Sequence, residues 1–173
     1  MKILRLAVGA WCLVLAGAAR ADMTAMDLQI AARALSFMEQ PLSGRLQAGI
    51  VYSSGDQRSV RQADALERLI GRGMRIGNIE LRAVRVDGDQ AASADVDLFL
   101  LVENAGEAAA AAGAASAHKK VPCITTDLPQ VRAGLCVMGV RTTPKVEILV
   151  NRAAAEASDT AFATVFRMMV TEL

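Results

Sequence analysis

Aromatic residues are scarce in this sequence, making up 3% of its 173 residues. Trp11 is the only tryptophan and Tyr52 the only tyrosine, while the four phenylalanines lie within apolar patterns. Proteins that hold sugars or unstacked bases usually present exposed aromatic faces to them. The composition therefore argues against a carbohydrate-binding protein and against a protein that binds single-stranded nucleic acid.

Catalytic motifs are missing as well. The single histidine, His118, lies near the end of an alanine-rich helix predicted over 105–119, where a cation complements the helix dipole. No nucleophile-elbow, zinc-protease or phosphate-loop motif occurs. The glycines of IGRGMRIG follow a predicted helix, which is typical of a helix cap and turn and not of a dinucleotide fingerprint. We therefore expect a protein that is not an enzyme, with no catalytic residue, cofactor or metal site.

The first 21 residues have the pattern of a secretory signal peptide. Lys2 and Arg5 precede an apolar run over 6–17, and small residues stand at the cleavage positions of 19–21. A retained membrane-spanning helix is the alternative, but such a helix needs about 20 apolar residues. The pattern predicts cleavage after residue 21, a periplasmic location, and one domain over 22–173.

Removal of this leader would change the balance of charge. It takes away three basic residues, so 19 lysines and arginines become 16 against 18 carboxylates, and the net charge becomes about −2. Proteins that bind nucleic acid neutralise phosphates with clustered basic residues. We therefore expect no nucleic-acid partner.

Two cysteines, Cys123 and Cys136, remain in the predicted mature chain. An even pair in an oxidising compartment favours a disulfide, which would stabilise the fold by about 3 kcal/mol if it closes a loop of this size. The alternative is two buried free thiols. The spacing is not that of a C-x-x-C redox motif, and one histidine is too few for a typical zinc site.

Helical and strand patterns alternate along the rest of the chain. Thr24 and Asp27 form a capping box before an amphipathic helix that ends near Pro41. A strand pattern with one wet face, typical of an edge strand, covers 78–86. A final amphipathic helix is predicted over 162–173. Further strands are predicted over 46–52, 97–102 and 122–126, a second helix over 60–70, and a hairpin over 135–150. Together these predict a single-domain three-layer α/β sandwich, with a mostly parallel sheet and a C-terminal antiparallel hairpin.

Polar residues follow three of the predicted strands. In open α/β sheets, ligands bind outside the carboxyl ends of the strands, and two of these strands lead into helices whose first amides can receive an anion. Ordinary turn and cap chemistry would explain the same residues. The candidates for a ligand crevice are Ser53, Ser54, Glu103, Thr125, Thr126 and Asp127.

Most of the predicted mature chain resembles the YfiR family of small secreted bacterial proteins. LQIAARALSFMEQP followed by LQAGIVY is similar to the family's opening helix and strand, with Phe37, Glu39 and Pro41 in comparable places. CVMGVRTTPKVEILVNRAAAEASDTAFATVFRMM resembles its closing strands and helices. The resemblance implies a periplasmic regulator that contacts an inner-membrane sensor, for example to restrain a diguanylate cyclase in cyclic-di-GMP signalling. It also implies that a homodimer can form.

The alternation of strands and helices also looks like one lobe of a periplasmic ligand-binding protein of the ABC-transporter type. That resemblance implies a small ligand in a concave pocket, or pairing with a second chain. A regulator instead needs an apolar surface patch. Methionines of the final helix (Met168, Met169) or of the first helix (Met26, Met38) could supply one. We rank the regulator first and the ligand lobe second.

Overall fold

A computed structural model describes residues 22–173, and the predicted signal peptide lies outside this range. The range contains six α-helices, eight strands and a short 3-10 turn at Gly88–Gln90. In chain order, the elements are α1 (Ala25–Leu35), β1 (Gly44–Tyr52), α2 (Gln57–Ile70), β2 (Met74–Ile76), β3 (Ile79–Asp87), β4 (Leu98–Leu101), α3 (Ala108–Lys119), β5 (Cys123–Thr125), α4 (Leu128–Arg132), β6 (Met138–Arg141), β7 (Glu147–Val150), α5 (Arg152–Ala157), α6 (Thr164–Arg167) and β8 (Thr171–Glu172).

The eight strands form one sheet in the order β2-β3-β1-β4-β5-β6-β7-β8. The five strands from β3 to β6 in this order run parallel to one another, while β2 is antiparallel to β3 and β7 to β6. β8 adds to β7 in parallel. The predicted α/β class, the mostly parallel sheet and the C-terminal hairpin are confirmed. If these five parallel strands are numbered 1 to 5 along the chain, their spatial order is 2-1-3-4-5. The direction of winding therefore reverses beside β1.

Helices cover both faces of this sheet. α2 packs on β1 and β3, and its Asp64 forms an ion pair with Arg85 of β3. On the other face, Leu128 and Val131 of α4 lie directly over Gly139, where a Cβ atom would approach them to 2.7 and 2.8 Å. β4 is buried along its whole length between the two helical layers, which explains its continuous apolar sequence. The predicted three-layer sandwich is therefore observed.

The start of α1 is hydrogen-bonded to the segment that follows β6. The predicted capping box is present, with the Asp27 backbone N–H donating to Thr24 Oγ1 and the Thr24 backbone N–H donating to Asp27 Oδ2 at 2.8 Å. The second oxygen of Asp27 accepts from the backbone N–H of Thr142, just beyond β6, also at 2.8 Å. Asp27 is buried, so one carboxylate both caps the helix and fixes its position on the sheet.

Two predictions about secondary structure are wrong. The final helix predicted over 162–173 is only the single turn α6, because the chain then extends and pairs with β7 as β8. The strand predicted over 78–86 does have one wet face, but β2 pairs on its outer side, so it is not an edge strand.

The predicted disulfide is present and joins Cys123 to Cys136, with 4.8 Å between the two Cα atoms. Both residues are buried at the amino ends of β5 and β6. The alternative of two free thiols does not hold in this structure. Within residues 22–173, no helix has the length and apolar character needed to cross a membrane.

Candidate functional site

The predicted crevice residues come together at one edge of the sheet. β1, β4 and β5 are adjacent and parallel, so the segments that follow them meet at the carboxyl edge of the sheet. This edge includes the point beside β1 where the winding reverses, which is where ligands of this architecture bind. The residues that reach it are Ser53 and Ser54 after β1, Glu103 after β4, and Thr125, Thr126 and Asp127 at the end of β5.

The two serines belong to the turn between β1 and α2. The Ser53 backbone N–H donates to Oγ of the buried Ser59 at 2.9 Å, while Ser54 is exposed. The first turn of α2 is capped by Asp56, which accepts from the Arg58 backbone N–H at 2.7 Å. A carboxylate therefore already occupies the position at which an anionic ligand would meet this helix start.

Glu103 and Thr126 contact each other directly. Thr126 is buried, and its Oγ1 donates to Glu103 Oε1 at 3.2 Å. Next to them, the backbone N–H and the side-chain amide of Asn104 donate to Gln62 Oε1 at 3.1 and 3.0 Å. Gln62 in turn donates to Asp22 Oδ1 at 2.8 Å. These groups hold the loop after β4 to α2 and to the segment that precedes α1.

Thr125 is directed into the protein. Its Oγ1 donates to Gln130 Oε1 at 3.0 Å and accepts from the Asp127 backbone N–H at 3.1 Å. The Gln130 amide continues the network to the carbonyl oxygen of Glu103 at 3.1 Å. Since Thr125 and Gln130 are both buried, their role here is to join the ends of β4 and β5.

A small cavity lies at this edge. The cavity between these groups has a volume of about 10 Å³, less than a drug-sized ligand needs by more than an order of magnitude. Of the six predicted residues, only Glu103 and Thr126 line it; the remaining lining residues are Asp22, Met23, Gln62, Leu66, Leu101 and Val102. Gln62 and Gln130 were not predicted, because their contacts with Asn104 and Glu103 join residues that are 42 and 27 positions apart in the sequence.

A larger cavity, about 350 Å³ in volume, lies at the opposite, amino edge. It contains the end of β7, which reaches this edge because β7 is antiparallel to β6. Val150 and Phe162 supply apolar surface. Its arginines are already paired, Arg152 with Glu156 at 2.8 Å and Arg167 with Glu172 at 3.7 Å. The hydrogen bond to Glu156 is the main cause that raises the pKa of Arg152 above its usual value.

Exposed apolar side chains are concentrated near the C-terminal end of the described range. Met168 is 76% exposed and Met169 is 64% exposed, and Val165 and Leu173 are also exposed. Close by, the ring of Phe37 stacks on Phe166 with 5.4 Å between ring centroids. Of the two methionines predicted for an interface in the first helix, Met26 is exposed, whereas Met38 lies after α1 and is buried.

Histidine, cysteine and carboxylate side chains do not form a metal centre anywhere in residues 22–173, where no three of them come close enough to share an ion. The single histidine, His118, lies in the last turn of α3 beside Lys119, as predicted. The glycines of IGRGMRIG fall at the end of α2 and in the hairpin of β2 and β3, in agreement with the cap and turn expected from the sequence.

Comparison with known proteins gives likenesses in structure only. No family model matches the chain, and no curated protein matches its sequence. A conserved domain protein from Vibrio cholerae is similar in structure, with a TM-score of 0.58 and 13% identity over 85% of this chain and 58% of the other. The ABC domain in complex with L-Trp from Streptococcus pneumonia gives a TM-score of 0.58 at 11% identity, over 84% and 61%.

A third similar structure is the ligand-free, open form of a substrate binding protein with adhesive properties from Clostridium difficile. It gives a TM-score of 0.52 at 11% identity over 85% of this chain and 58% of that protein. The chain thus spans about three fifths of the length of these three proteins. At such low identity, the comparisons establish a shared α/β fold.

Proposed function

We propose that this protein is a non-enzymatic binding protein of the periplasm that acts by contact with another protein. The partner class that the sequence resemblance implies is an inner-membrane sensor, such as a diguanylate cyclase whose activity the protein restrains. The observation that carries the proposal is the hydrogen bonding of the carboxyl edge in residues 22–173. There, polar groups bond to one another around a cavity of about 10 Å³.

The exposed methionines support the same proposal. Met168 and Met169 present flexible, polarizable side chains to solvent, and such side chains adapt well to a protein surface. Contiguous apolar surface on a single chain commonly marks a site of protein contact. The disulfide is consistent with an oxidising compartment.

Co-purification from an envelope extract tests this proposal. The tagged mature chain is expected to recover one inner-membrane protein reproducibly. The Met168→Lys/Met169→Lys variant should recover it at least several-fold less well, because two charges replace apolar contact area. Val146→Lys is the control for a lysine at an exposed apolar position, since Val146 is 60% exposed in the turn before β7. Equal recovery by all three proteins would contradict the proposed surface.

A single-lobe ligand-binding protein is the second candidate. Its support is the strand order, which places the crevice of this architecture at the ends of β1 and β4. One of the similar structures is named as a substrate binding protein. In this case the crevice would be completed by a second lobe or chain. Recovery of a small molecule with the purified protein, and of no partner protein, would favour this candidate.

A further inference from the structure

A row of charged side chains crosses the amino ends of β1 and β3 and continues onto the antiparallel strand β2. Arg45 of β1 and Arg75 of β2 are both register partners of Glu80 on the central strand β3. Their guanidinium nitrogens lie 3.5 and 3.4 Å from the Glu80 carboxylate. Arg82, two residues further along β3, adds a third contact at 3.1 Å. We call Arg45, Arg75, Glu80 and Arg82 the arginine row.

The arginine row lies on an exposed part of the sheet. Ile79 and Leu81 are buried, so the alternating residues Glu80 and Arg82 point to the opposite, open face. The side chain of Arg45 is 63% exposed and that of Arg75 is 79% exposed. A shallow depression of about 330 Å³ lies beside them, lined in addition by Gly44, Gly77, Asn78 and Ile79.

Glu80 is held in place at the centre of the row. A Cβ atom at Gly73 would lie only 3.1 Å from Glu80 Oε1, so glycine at this position leaves room for the carboxylate. The carboxylate in turn accepts hydrogen bonds from Arg75 and Arg82 and lies 3.5 Å from the Arg45 guanidinium group. Such contacts reduce the side-chain entropy that a ligand would otherwise have to remove on binding.

The row carries more positive charge than its one carboxylate balances. Three arginines face Glu80, which leaves an excess of two positive charges. Each guanidinium has five N–H donors, and Arg45 and Arg75 direct only one nitrogen each toward Glu80. Asp97 is the carboxylate near the adjoining part of β1, and it already accepts from the Gln47 backbone N–H at 2.7 Å.

We propose that the arginine row is a docking surface for an acidic segment of a partner protein. The proposal rests on the proposed function, because it identifies the chemistry of the partner. The spacing favours a peptide over a single small anion. Arg45 and Arg75 lie on strands two positions apart, which is about 9.5 Å, with Glu80 between them. An extended chain places the side chains on one of its faces about 6.7 Å apart and can reach both arginines at once.

An anionic membrane fits the observations less well. The predicted mature chain has a net charge of about −2, so the whole protein is not attracted to a negative surface. The excess positive charge is local, which suits a short acidic segment.

Fluorescence anisotropy with a labelled hexaglutamate peptide tests the proposal on the mature protein. The Arg45→Gln/Arg75→Gln variant should bind the peptide about tenfold more weakly than the unaltered protein. Arg61→Gln/Arg132→Gln is the matched control, because it removes two exposed arginines of equal charge that lie on helices α2 and α4 and not on the strands of the row. The control should retain the affinity of the unaltered protein, and added salt should weaken binding by the unaltered protein more than by the variant.

Three results would overturn the proposal. These are no peptide binding, equal weakening by both double variants, or binding of inorganic phosphate or phosphatidylserine vesicles in place of the peptide. The proposed function is judged separately. If the envelope partner is still recovered by Arg45→Gln/Arg75→Gln at full yield, contact with a protein stands and the arginine row is not its docking surface.

Discussion

The two edges of the sheet are built in opposite ways. At the carboxyl edge, hydroxyl, amide and carboxylate groups bond to each other and to the segment before α1, around a cavity of about 10 Å³. At the amino edge, a disulfide lies in the interior and charged side chains remain exposed around two larger depressions. The carboxyl edge is the one at which this architecture usually binds ligands.

The two edges differ in how many of their polar groups are available to bind a partner. Polar groups that are bonded to one another have little free energy to gain from a ligand, since binding must first break those bonds. Exposed guanidinium groups with unused donors, held by Glu80, can accept a partner without that loss. Proteins that share a fold can therefore bind their partners at different positions on it.

The disulfide should have the largest effect on stability. The Cys123→Ala/Cys136→Ala variant is expected to lose about 3 kcal/mol of unfolding free energy, because the crosslink between residues 13 apart restricts the unfolded chain. Urea unfolding followed by circular dichroism measures the loss. Reductant should destabilise the unaltered protein by a similar amount and leave the variant unchanged. A variant as stable as the oxidised protein would show that the amino edge does not depend on the crosslink.

Substitution of Asp27, at the carboxyl edge, should have the next largest effect on the free energy of unfolding. Asp27→Ala removes a helix cap and also leaves the Thr142 backbone N–H without its partner, so we expect a loss of about 2 kcal/mol. Asp56→Ala is the control, because Asp56 caps α2 without a second tie across the sheet, and its loss should be about half as large. Equal losses for the two variants in urea unfolding would mean that the bond to Thr142 contributes nothing.

Thr125 tests whether the hydrogen bonds of the carboxyl edge stabilise the fold. Thr125→Val retains the shape of the side chain and removes its bonds to Gln130 and to the Asp127 amide, so we expect a loss of about 1.5 kcal/mol. Ser54→Ala changes an exposed hydroxyl at the same edge and should alter stability by less than about 0.5 kcal/mol. If both changes are neutral in urea unfolding, the polar groups of this edge are available for another role.

Much of the fold follows from local patterns in the sequence. The capping box of Thr24 and Asp27 and the apolar run of β4 each have a local cause, and both are present as predicted. The predicted final helix is present only as the single turn α6, although Phe162, Val165, Phe166 and Met169 have helical spacing. The chain instead extends at Thr171, which is β-branched, and gains backbone pairing with β7 that no local pattern reveals.

The site is less accessible to prediction from sequence. Six polar residues were expected to meet at the carboxyl edge, and strand adjacency does bring them there. Their partners Gln62 and Gln130 depend on how α2 and α4 lie against the sheet. The arginine row was not predicted, for a different reason. β2 is only three residues long, too short to show a period, and without it Arg75 has no visible relation to Glu80.

The smallest expected effect is a pH dependence at the arginine row. Hydrogen bonds from Arg82, and then from Arg75, hold the pKa of Glu80 below its usual value of about 4.5. A carboxyl group with a lowered pKa stabilises the folded state above the unfolded pKa, and this contribution disappears as the pH falls through the folded pKa. The melting temperature of the unaltered protein should therefore fall more steeply below about pH 4.5 than that of Glu80→Gln.

Glu39→Gln provides the reference for this measurement, because Glu39 is an exposed carboxylate at the same edge without an ion pair in the described range. Its melting curve should keep the acid dependence of the unaltered protein. If Glu80→Gln keeps that dependence too, the guanidinium groups do not favour the charged form of Glu80. The Glu80 carboxylate would then not hold the three arginines together. They would be independent exposed charges and would not form one binding surface for a partner.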